Sequence, residues 1–149
     1  IIIMLNKKYM EFEEFYKKAQ YTVFTPTPIL FRINQICPEI DQVLMKAKVT
    51  QAAFITAWNP RSELMENQVN NLAQNRLQNE LIEGSLPYLF GYGEDPQGTW
   101  KEESFLVLGI EREWACAIGK KYGQNAIVWL EIGQEPQLIF LIHNASSQA

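Results

Sequence analysis

The segment from Gly91 to Phe105 contains the residue types that a small-ligand site needs, namely glycines, carboxylates and aromatic rings. Asp95 and Glu102 are the candidate catalytic residues, because a carboxylate can transfer a proton or hold Mg²⁺. Trp100 and Tyr92 carry rings that can stack on a planar ligand. We therefore interpret this segment as a glycine-rich loop that carries part of a site.

The same segment also supports a structural interpretation. Asp95-Pro96 and Gln97-Gly98 are pairs that commonly form turns. The pattern Gly91-x-Gly93 lacks the third glycine of a dinucleotide fingerprint, and the chain has no Gly-Lys-Ser/Thr phosphate loop. A Ser-His-Asp triad at Ser104 is disfavoured, because the single histidine, His143, lies far away in the sequence. The segment thus indicates a site without defining its reaction.

A second polar segment, from Thr56 to Ser62, follows an apolar run that we predict to be a central strand. Ligands of open α/β sheets usually lie outside the ends of such strands. Arg61 offers a fork of donors for phosphate or carboxylate, and Asn59 can both donate and accept hydrogen bonds. Alternatively, Asn59 forms a side-chain turn and Ser62 caps the next helix. Both interpretations remain open for Asn59, whereas Arg61 favours anion binding.

Side-chain amides recur farther along the chain. Asn67 begins a row of asparagines that repeats every four residues along a predicted helix, and it is the member nearest the strand end. Such a row is either a solvated face or a surface that presents amides to a ligand or partner. Gln124 and Asn125 follow Gly123, a predicted helix cap, and either satisfy nearby backbone groups or contact a ligand.

The composition disfavours several classes of protein. The chain has 149 residues, 47% hydrophobic and 20% charged, which predicts one folded domain. Its net charge of −4 repels a phosphate backbone, so bulk nucleic-acid binding is disfavoured. Cys37, Cys116 and His143 are too dispersed for a zinc site, while Mg²⁺ held by carboxylates stays open and no cofactor is identified. No apolar run reaches the roughly 20 residues that cross a bilayer, so we expect a cytoplasmic protein without membrane contact.

Hydrophobic periodicity predicts the elements that position these residues. Helices are expected over residues 8–19, 38–48, 63–83 and 114–122, and strands over 21–24, 29–33, 52–57, 87–90, 104–110, 126–130 and 138–143. This order predicts an α/β fold of the α+β type, with a mixed, largely antiparallel sheet covered by about four helices. We expect a single domain over residues 9–143, preceded by a disordered or vector-derived segment (1–8) and followed by a frayed tail (144–149).

Four motifs follow one another within about residues 52–130: Thr-Ala-Trp-Asn-Pro from Thr56 with Ser62, Asn67 with Asn71, the polar and aromatic run from Gly91 to Val107, and Gly-Gln-Asn-Ala from Gly123. This arrangement resembles the bacterial family of unknown function DUF3293. The resemblance implies no catalytic residue and no cofactor, because the family is uncharacterised. It groups nine polar residues in one pattern: Thr56, Asn59, Asn67, Asp95, Trp100, Glu102, Ser104, Gln124 and Asn125. Arg61 and Tyr92 are candidates from residue type alone.

Two functions follow from these observations. The first is binding of a small anionic or nucleotide-like ligand in a polar cleft, with hydrolase or transferase chemistry in which Glu102 or Asp95 acts as a base or metal ligand. The alternative is a non-enzymatic regulator or interaction module that binds a protein partner or forms a homodimer. The sequence leaves open whether the protein is an enzyme.

Overall fold

The computed structural model describes residues 14–141. The expectations for the N-terminal segment, for the first residues of the helix predicted over 8–19, for His143 and for the C-terminal tail lie outside the described residues. A short 3-10 helix (Pro60–Ser62) follows the third strand. The remaining elements are, in chain order, α1 (14–18), β1 (Gln20–Val23), β2 (Ile29–Phe31), α2 (Pro38–Lys46), β3 (Gln51–Ile55), α3 (Asn67–Glu83), β4 (Tyr88–Glu94), β5 (Lys101–Leu108), α4 (Arg112–Lys121), β6 (Ala126–Glu131) and β7 (Gln137–Phe140).

The strands form one sheet in the order β2-β1-β4-β5-β3-β6-β7. Neighbouring strands are antiparallel at every described pairing. The predicted α+β fold with a largely antiparallel sheet is therefore confirmed, and no parallel pair occurs among residues 14–141. β5 is the middle strand of this order, between β4 and β3, so its residues contact elements from both halves of the sheet.

Alternation along β5 sends its side chains to opposite faces of the sheet. Leu106 and Leu108 belong to a buried cluster that includes residues of α2, so we call this side the α2 face. Phe105 and Val107 belong to a second cluster that includes residues of α3 and α4, so we call the other side the α3 face. Glu102 shares the α2 face with Leu106, because the two are separated by an even number of positions.

α3 packs on the sheet through a stripe that is only half apolar. Its buried residues are Asn70, Gln74, Leu77 and Leu81, at the spacing of one helical face. Val69, an apolar residue of the same helix, is exposed instead. In the first half of α3, the two fully buried side chains are thus amides, and they bond the segment that follows β3, while Ala73 packs against the apolar cluster of the α3 face.

Residues 91–105 form most of a β-hairpin, so their interpretation as a glycine-rich loop is wrong. In the pairing of β4 with β5, Gly91 lies opposite Ser104 and Gly93 lies opposite Glu102. A Cβ at Gly91 would lie 2.3 Å from the backbone carbonyl oxygen of Thr22. The close approach of β1 and β4 therefore requires glycine at this position.

The described part of the chain contains neither a membrane-spanning helix nor a cluster of metal-ligand residues. None of its helices is long and apolar enough to cross a bilayer. Within residues 14–141, no group of three or more His, Cys, Asp or Glu side chains is placed to hold a metal ion.

Candidate functional site

A small polar cavity lies on the α2 face beside the first residues of β5. We call it the Glu102 cavity. It encloses about 420 Å³ including its solvent-open part, but the centre of a water-sized sphere can occupy only about 40 Å³. This is room for a few water molecules or one small ligand group. Its polar lining consists of Tyr16, Tyr21, Thr56, Trp100, Glu102, Ser104 and Gln124.

Five candidates that lie far apart in the sequence thus meet at one cavity. Thr56 follows β3, Trp100 and Glu102 stand at the start of β5, Ser104 lies farther along β5, and Gln124 follows α4. The pairing of β5 with β3, and of β3 with β6, brings these segments together. The antiparallel sheet therefore assembles the site from three separate parts of the chain.

Glu102 is the acidic group of this cavity and is 6% exposed. Burial raises the pKa of its carboxyl to about 8, while side-chain hydrogen bonds with Asn59 and Trp100 act in the opposite direction. No lysine or arginine is among the described residues that line the cavity. At neutral pH the carboxyl is therefore mainly protonated, and it can donate a hydrogen bond or a proton to a bound group.

Two tyrosines contribute hydroxyl groups to the same cavity. The Tyr16 hydroxyl lies 3.5 Å from Ser62 Oγ, and the Tyr21 hydroxyl donates to the backbone oxygen of Tyr16 at 3.4 Å. Burial raises the pKa of both phenols, and the charge of Glu102 adds to the rise. Both tyrosines therefore stay neutral donors. Sequence reasoning missed them, although a buried phenol needs a polar partner and so signals a polar pocket.

Asn59 has a structural role and a role at the cavity. Its backbone is in the left-handed region at φ 47° and ψ 65°, which asparagine adopts more readily than most residues. Its backbone N–H donates to Asn70 Oδ1 at 2.9 Å, and its own Oδ1 accepts from Asn70 Nδ2 at 2.8 Å and from the Met65 N–H at 3.0 Å. The amide oxygen is thus committed to the fold, while the side chain also bonds Glu102.

Asn70 and Gln74 are the supporting residues that sequence reasoning missed. Asn70 pairs with Asn59, and Gln74 Oε1 accepts the backbone N–H of Ala57 at 2.9 Å. Both residues therefore hold the segment after β3 against α3. The available signal was their position, because they occupy the helix stripe that continues through Leu77 and Leu81, where apolar residues are expected.

The other polar residues of the lining are anchored to the backbone. Gln124 Nε2 donates to the carbonyl oxygens of Trp58 and Tyr122, at 3.1 and 3.3 Å. The Thr56 hydroxyl donates to the Glu103 carbonyl oxygen. Ser104 Oγ donates to the Glu102 carbonyl oxygen at 3.2 Å. These bonds fix the side chains, so the walls of the cavity are already ordered before a ligand enters.

Asp95 lies in the turn between β4 and β5 and is not part of the cavity lining. Its carboxylate accepts hydrogen bonds from the Thr99 hydroxyl and from the Trp100 backbone N–H, the latter at 3.0 Å. These bonds lower the pKa of Asp95. These bonds stabilise the turn that positions Trp100 in the cavity lining. A catalytic role for Asp95 stays a prediction.

Four other candidates lie outside the lining. Asn125 is close to it, because Asn125 Nδ2 donates to Ser62 Oγ at 2.9 Å and Ser62 contacts Tyr16. Arg61 is exposed, and its backbone N–H donates to the Gly123 carbonyl oxygen at 2.7 Å. The last two lie farther off: Asn67 is exposed at the start of α3, and Tyr92 projects from β4 on the α3 face.

The central part of the chain is similar to a known protein family. The model of the family described as "Protein of unknown function (DUF3293)" matches residues 55–127. The chain belongs to this family. No curated protein and no solved structure matches the chain. The DUF3293 match contains Asn59 and every polar residue of the cavity lining except Tyr16 and Tyr21, which precede residue 55.

Proposed function

We propose that this DUF3293 protein binds a small ligand whose polar end enters the Glu102 cavity and exchanges a proton with Glu102. One observation carries the proposal. Five candidate residues from three segments of the chain converge on one cavity around a buried carboxyl group. Chain folding alone does not require a carboxyl group in such a place, because burial without a cationic partner is unfavourable.

The protonation of Glu102 favours acid–base chemistry. A general acid is most effective when its pKa lies near the working pH, and the pKa of about 8 meets this condition. Asn59 and Trp100 bond the carboxyl and so orient it. In a hydrolase or transferase, Glu102 would then donate its proton to the leaving group or, once ionised, accept one from the nucleophile.

The size of the cavity limits what enters it. Only a small group such as a hydroxyl or carbonyl fits, so the rest of the ligand remains outside. Arg61 can supply the positive charge for an anionic or nucleotide-like ligand there, because it adjoins Ser62, whose hydroxyl contacts Tyr16 of the lining. Asn125 bonds the same hydroxyl and can add a donor.

The test combines ligand binding with the titration of Glu102. We would follow the carboxyl ¹³C signal of Glu102 by NMR while adding inorganic phosphate, acetate and nucleoside mono- and triphosphates, each with and without MgCl₂. A ligand of this site shifts the Glu102 titration and raises the melting temperature. Arg61→Ala should weaken anion binding but leave the Glu102 titration of the free protein unchanged.

Glu135→Gln is the matched control, since Glu135 is an exposed carboxylate in the turn before β7. It should bind every probe as wild type does, whereas Glu102→Gln should lose binding. A panel in which no probe moves the Glu102 signal, and in which Glu102→Gln behaves like wild type, would contradict the proposal.

A second function, an interaction module, is supported by a different region. Leu64 is 90% exposed just before α3, and Val69 and Leu72 are exposed on that helix. Such side chains favour contact with a partner protein or a second copy of the chain. Asn71 and Asn75 are also exposed on α3. Loss of a specific partner or of self-association in Asn71→Ala/Asn75→Ala, with retention in Glu102→Gln, would favour this function over ligand binding.

A further inference from the structure

A second and larger cavity lies on the α3 face, behind the strand that carries Glu102. It measures about 490 Å³, within the range of small-molecule sites. We call it the Gln74 cleft. α3 forms one wall, and β4 and β5 form the other. Its lining includes Phe24, Gln74, Gln78, Phe90, Lys101 and Glu103.

The cleft has aromatic walls that are open to solvent. Phe90 is 52% exposed and packs against Phe105, with ring centroids 5.6 Å apart. Phe24 is 50% exposed and packs against Tyr92, with centroids 5.4 Å apart. Exposed aromatic rings that converge on one concavity are typical of a surface that another molecule covers. Their flat faces suit a planar ring.

The charges in the cleft balance. Lys101 and Glu103 both line it, and they carry opposite signs on the same face of β5. Lys101 Nζ lies 3.9 Å from the centroid of the Tyr92 ring, so its charge already has a favourable contact. An uncharged ligand therefore fits this cleft better than an anion.

Gln74 supplies an unused hydrogen-bond donor beside these rings. The residue is 4% exposed, and its Oε1 accepts the Ala57 N–H, which fixes the orientation of the amide. Its Nε2 is buried and has no hydrogen-bond partner among the described residues. Such a donor costs free energy until an acceptor reaches it. Because Nε2 is itself covered, a ligand reaches it only if a side chain of the cleft wall shifts.

Gln78 presents the complementary group one helical turn farther on. Its Nε2 donates to the Tyr88 hydroxyl at 2.9 Å, which orients the amide and leaves its Oε1 as an acceptor. Gln74 and Gln78 are four residues apart, so they lie on one side of α3. Together they offer a donor followed by an acceptor, which matches the carbonyl and N–H of a carboxamide.

From these contacts we infer that the Gln74 cleft binds an uncharged planar aromatic ring that carries a carboxamide-type edge. The ring lies against Phe90 and Phe24. The ligand carbonyl accepts from Gln74 Nε2, and the ligand N–H donates to Gln78 Oε1. The cleft lies on the opposite face of the sheet from the Glu102 cavity, although Ser104 lines both, and nothing in the inference depends on proton transfer at Glu102.

The test is a titration of the wild-type protein with nicotinamide, followed by ¹H–¹⁵N NMR. Saturable shifts are expected for the side-chain amides of Gln74 and Gln78 and for the backbone of Phe90. Cyclohexanecarboxamide keeps the amide but has no planar ring, and nicotinate carries a negative charge. Each of these two probes should bind at least about tenfold more weakly than nicotinamide.

Two variants test the contacts. Phe90→Ala removes a half-exposed ring and should weaken nicotinamide binding at least about fivefold. Gln74→Glu keeps an oxygen for the Ala57 N–H but removes the donor, and should weaken binding further. Ile82→Ala is the control, because Ile82 is exposed on α3 and does not line the cleft. If Gln74→Glu fails to fold, Phe90→Ala alone decides.

Three outcomes would overturn the inference. They are the absence of nicotinamide-dependent shifts up to the solubility limit, equal binding of cyclohexanecarboxamide, and wild-type affinity in Phe90→Ala. Shifts centred on Trp100 and Glu102, with none at Gln74, would also overturn it, because they would assign the probe to the other face of the sheet.

Discussion

The Glu102 cavity and the Gln74 cleft lie on opposite faces of one hairpin and differ in almost every property. The cavity is small, contains a buried acid and has polar side chains that are bonded to the backbone. The cleft is roughly ten times larger by the same measure, about 490 against 40 Å³, and has exposed aromatic walls. Consecutive residues of β5 create both, since Glu102 faces one side and Lys101 and Glu103 face the other. One short strand can thus support two chemically distinct sites.

The largest expected effect concerns the acid of the cavity. Since the pKa of Glu102 rises from 4.5 to about 8 on folding, the folded protein binds more protons than the unfolded one between these pH values. The wild-type free energy of unfolding should therefore fall as the pH rises through this window. Glu102→Gln should remove this pH dependence. The difference in the free energy of unfolding, variant minus wild type, should therefore increase by on the order of 3–5 kcal/mol from pH 4 to pH 9.

Urea unfolding of both proteins at several pH values measures this difference. Glu135→Gln, which changes an exposed carboxylate in a turn, should follow the wild-type curve throughout. Parallel curves for wild type and Glu102→Gln would mean that the carboxyl is not perturbed, and the contrast between the two sites would lose its electrostatic basis.

The next effect concerns the amide pair that supports the cavity. Asn70→Ala removes the acceptor for the Asn59 N–H, which is left buried without this partner, and it removes one of the two donors to Asn59 Oδ1, which keeps only the Met65 N–H. A loss of about 2–4 kcal/mol in the free energy of unfolding is expected. The neighbouring Asn71→Ala changes an exposed side chain and should cost no more than about 0.5 kcal/mol. Equal losses in the two variants would show that the amide pair does not hold the segment after β3.

A smaller effect is expected from the cleft. Phe90→Ala should lower the free energy of unfolding by only about 1 kcal/mol, because half of the ring is already exposed. Phe105→Ala, at a fully buried ring that contacts Phe90, should cost about 3–5 kcal/mol. Thermal or urea unfolding compares them. A Phe90→Ala loss as large as that of Phe105→Ala would mean that the ring belongs to the core and is not kept for a ligand.

The smallest effect is expected at the turn that joins the two strands. Asp95→Asn weakens the hydrogen bonds that the Thr99 hydroxyl and the Trp100 N–H donate to the side chain at position 95. The free energy of unfolding should therefore fall by about 1 kcal/mol or less. The NMR titration of Glu102 should keep its midpoint near 8, because Asp95 does not line the cavity. A clear change in that midpoint would place Asp95 in the electrostatics of the site, as the sequence-based prediction of a catalytic role requires.

Part of the candidate site was predictable because it depends on residue type and local order. Thr56, Trp100, Glu102, Ser104 and Gln124 stand in polar motifs beside apolar strands, and all five line the cavity. The expectation of a loop failed, because alternating apolar positions are hard to recognise where glycine and polar residues interrupt them. Gly91 and Gly93 belong to paired strands, and only the distance from Gly91 to β1 explains why glycine is needed there.

Other parts required long-range contacts. Tyr16 belongs to the helix predicted over residues 8–19, a prediction that gives it no partner, yet its hydroxyl lies at the cavity, close to Ser62. Asn70 and Gln74 lie in the helix predicted over residues 63–83, and the helical pattern alone gives no reason to expect them to be buried. In the structure they accept hydrogen bonds from the backbone of the segment after β3. A helical pattern specifies which residues share a face, but it does not specify which polar groups meet that face.

The sequence by itself determined the order of the helices and strands, the α+β class and the membership in DUF3293, since periodicity and local motifs encode these properties over short stretches. The tertiary structure decided which candidates share a cavity, because that depends on the strand order β4-β5-β3-β6. It also decided the protonation of Glu102. A carboxyl group in an exposed loop keeps its ordinary pKa. Burial raises the pKa of Glu102 to about 8, and its hydrogen bonds with Asn59 and Trp100 partly oppose this rise.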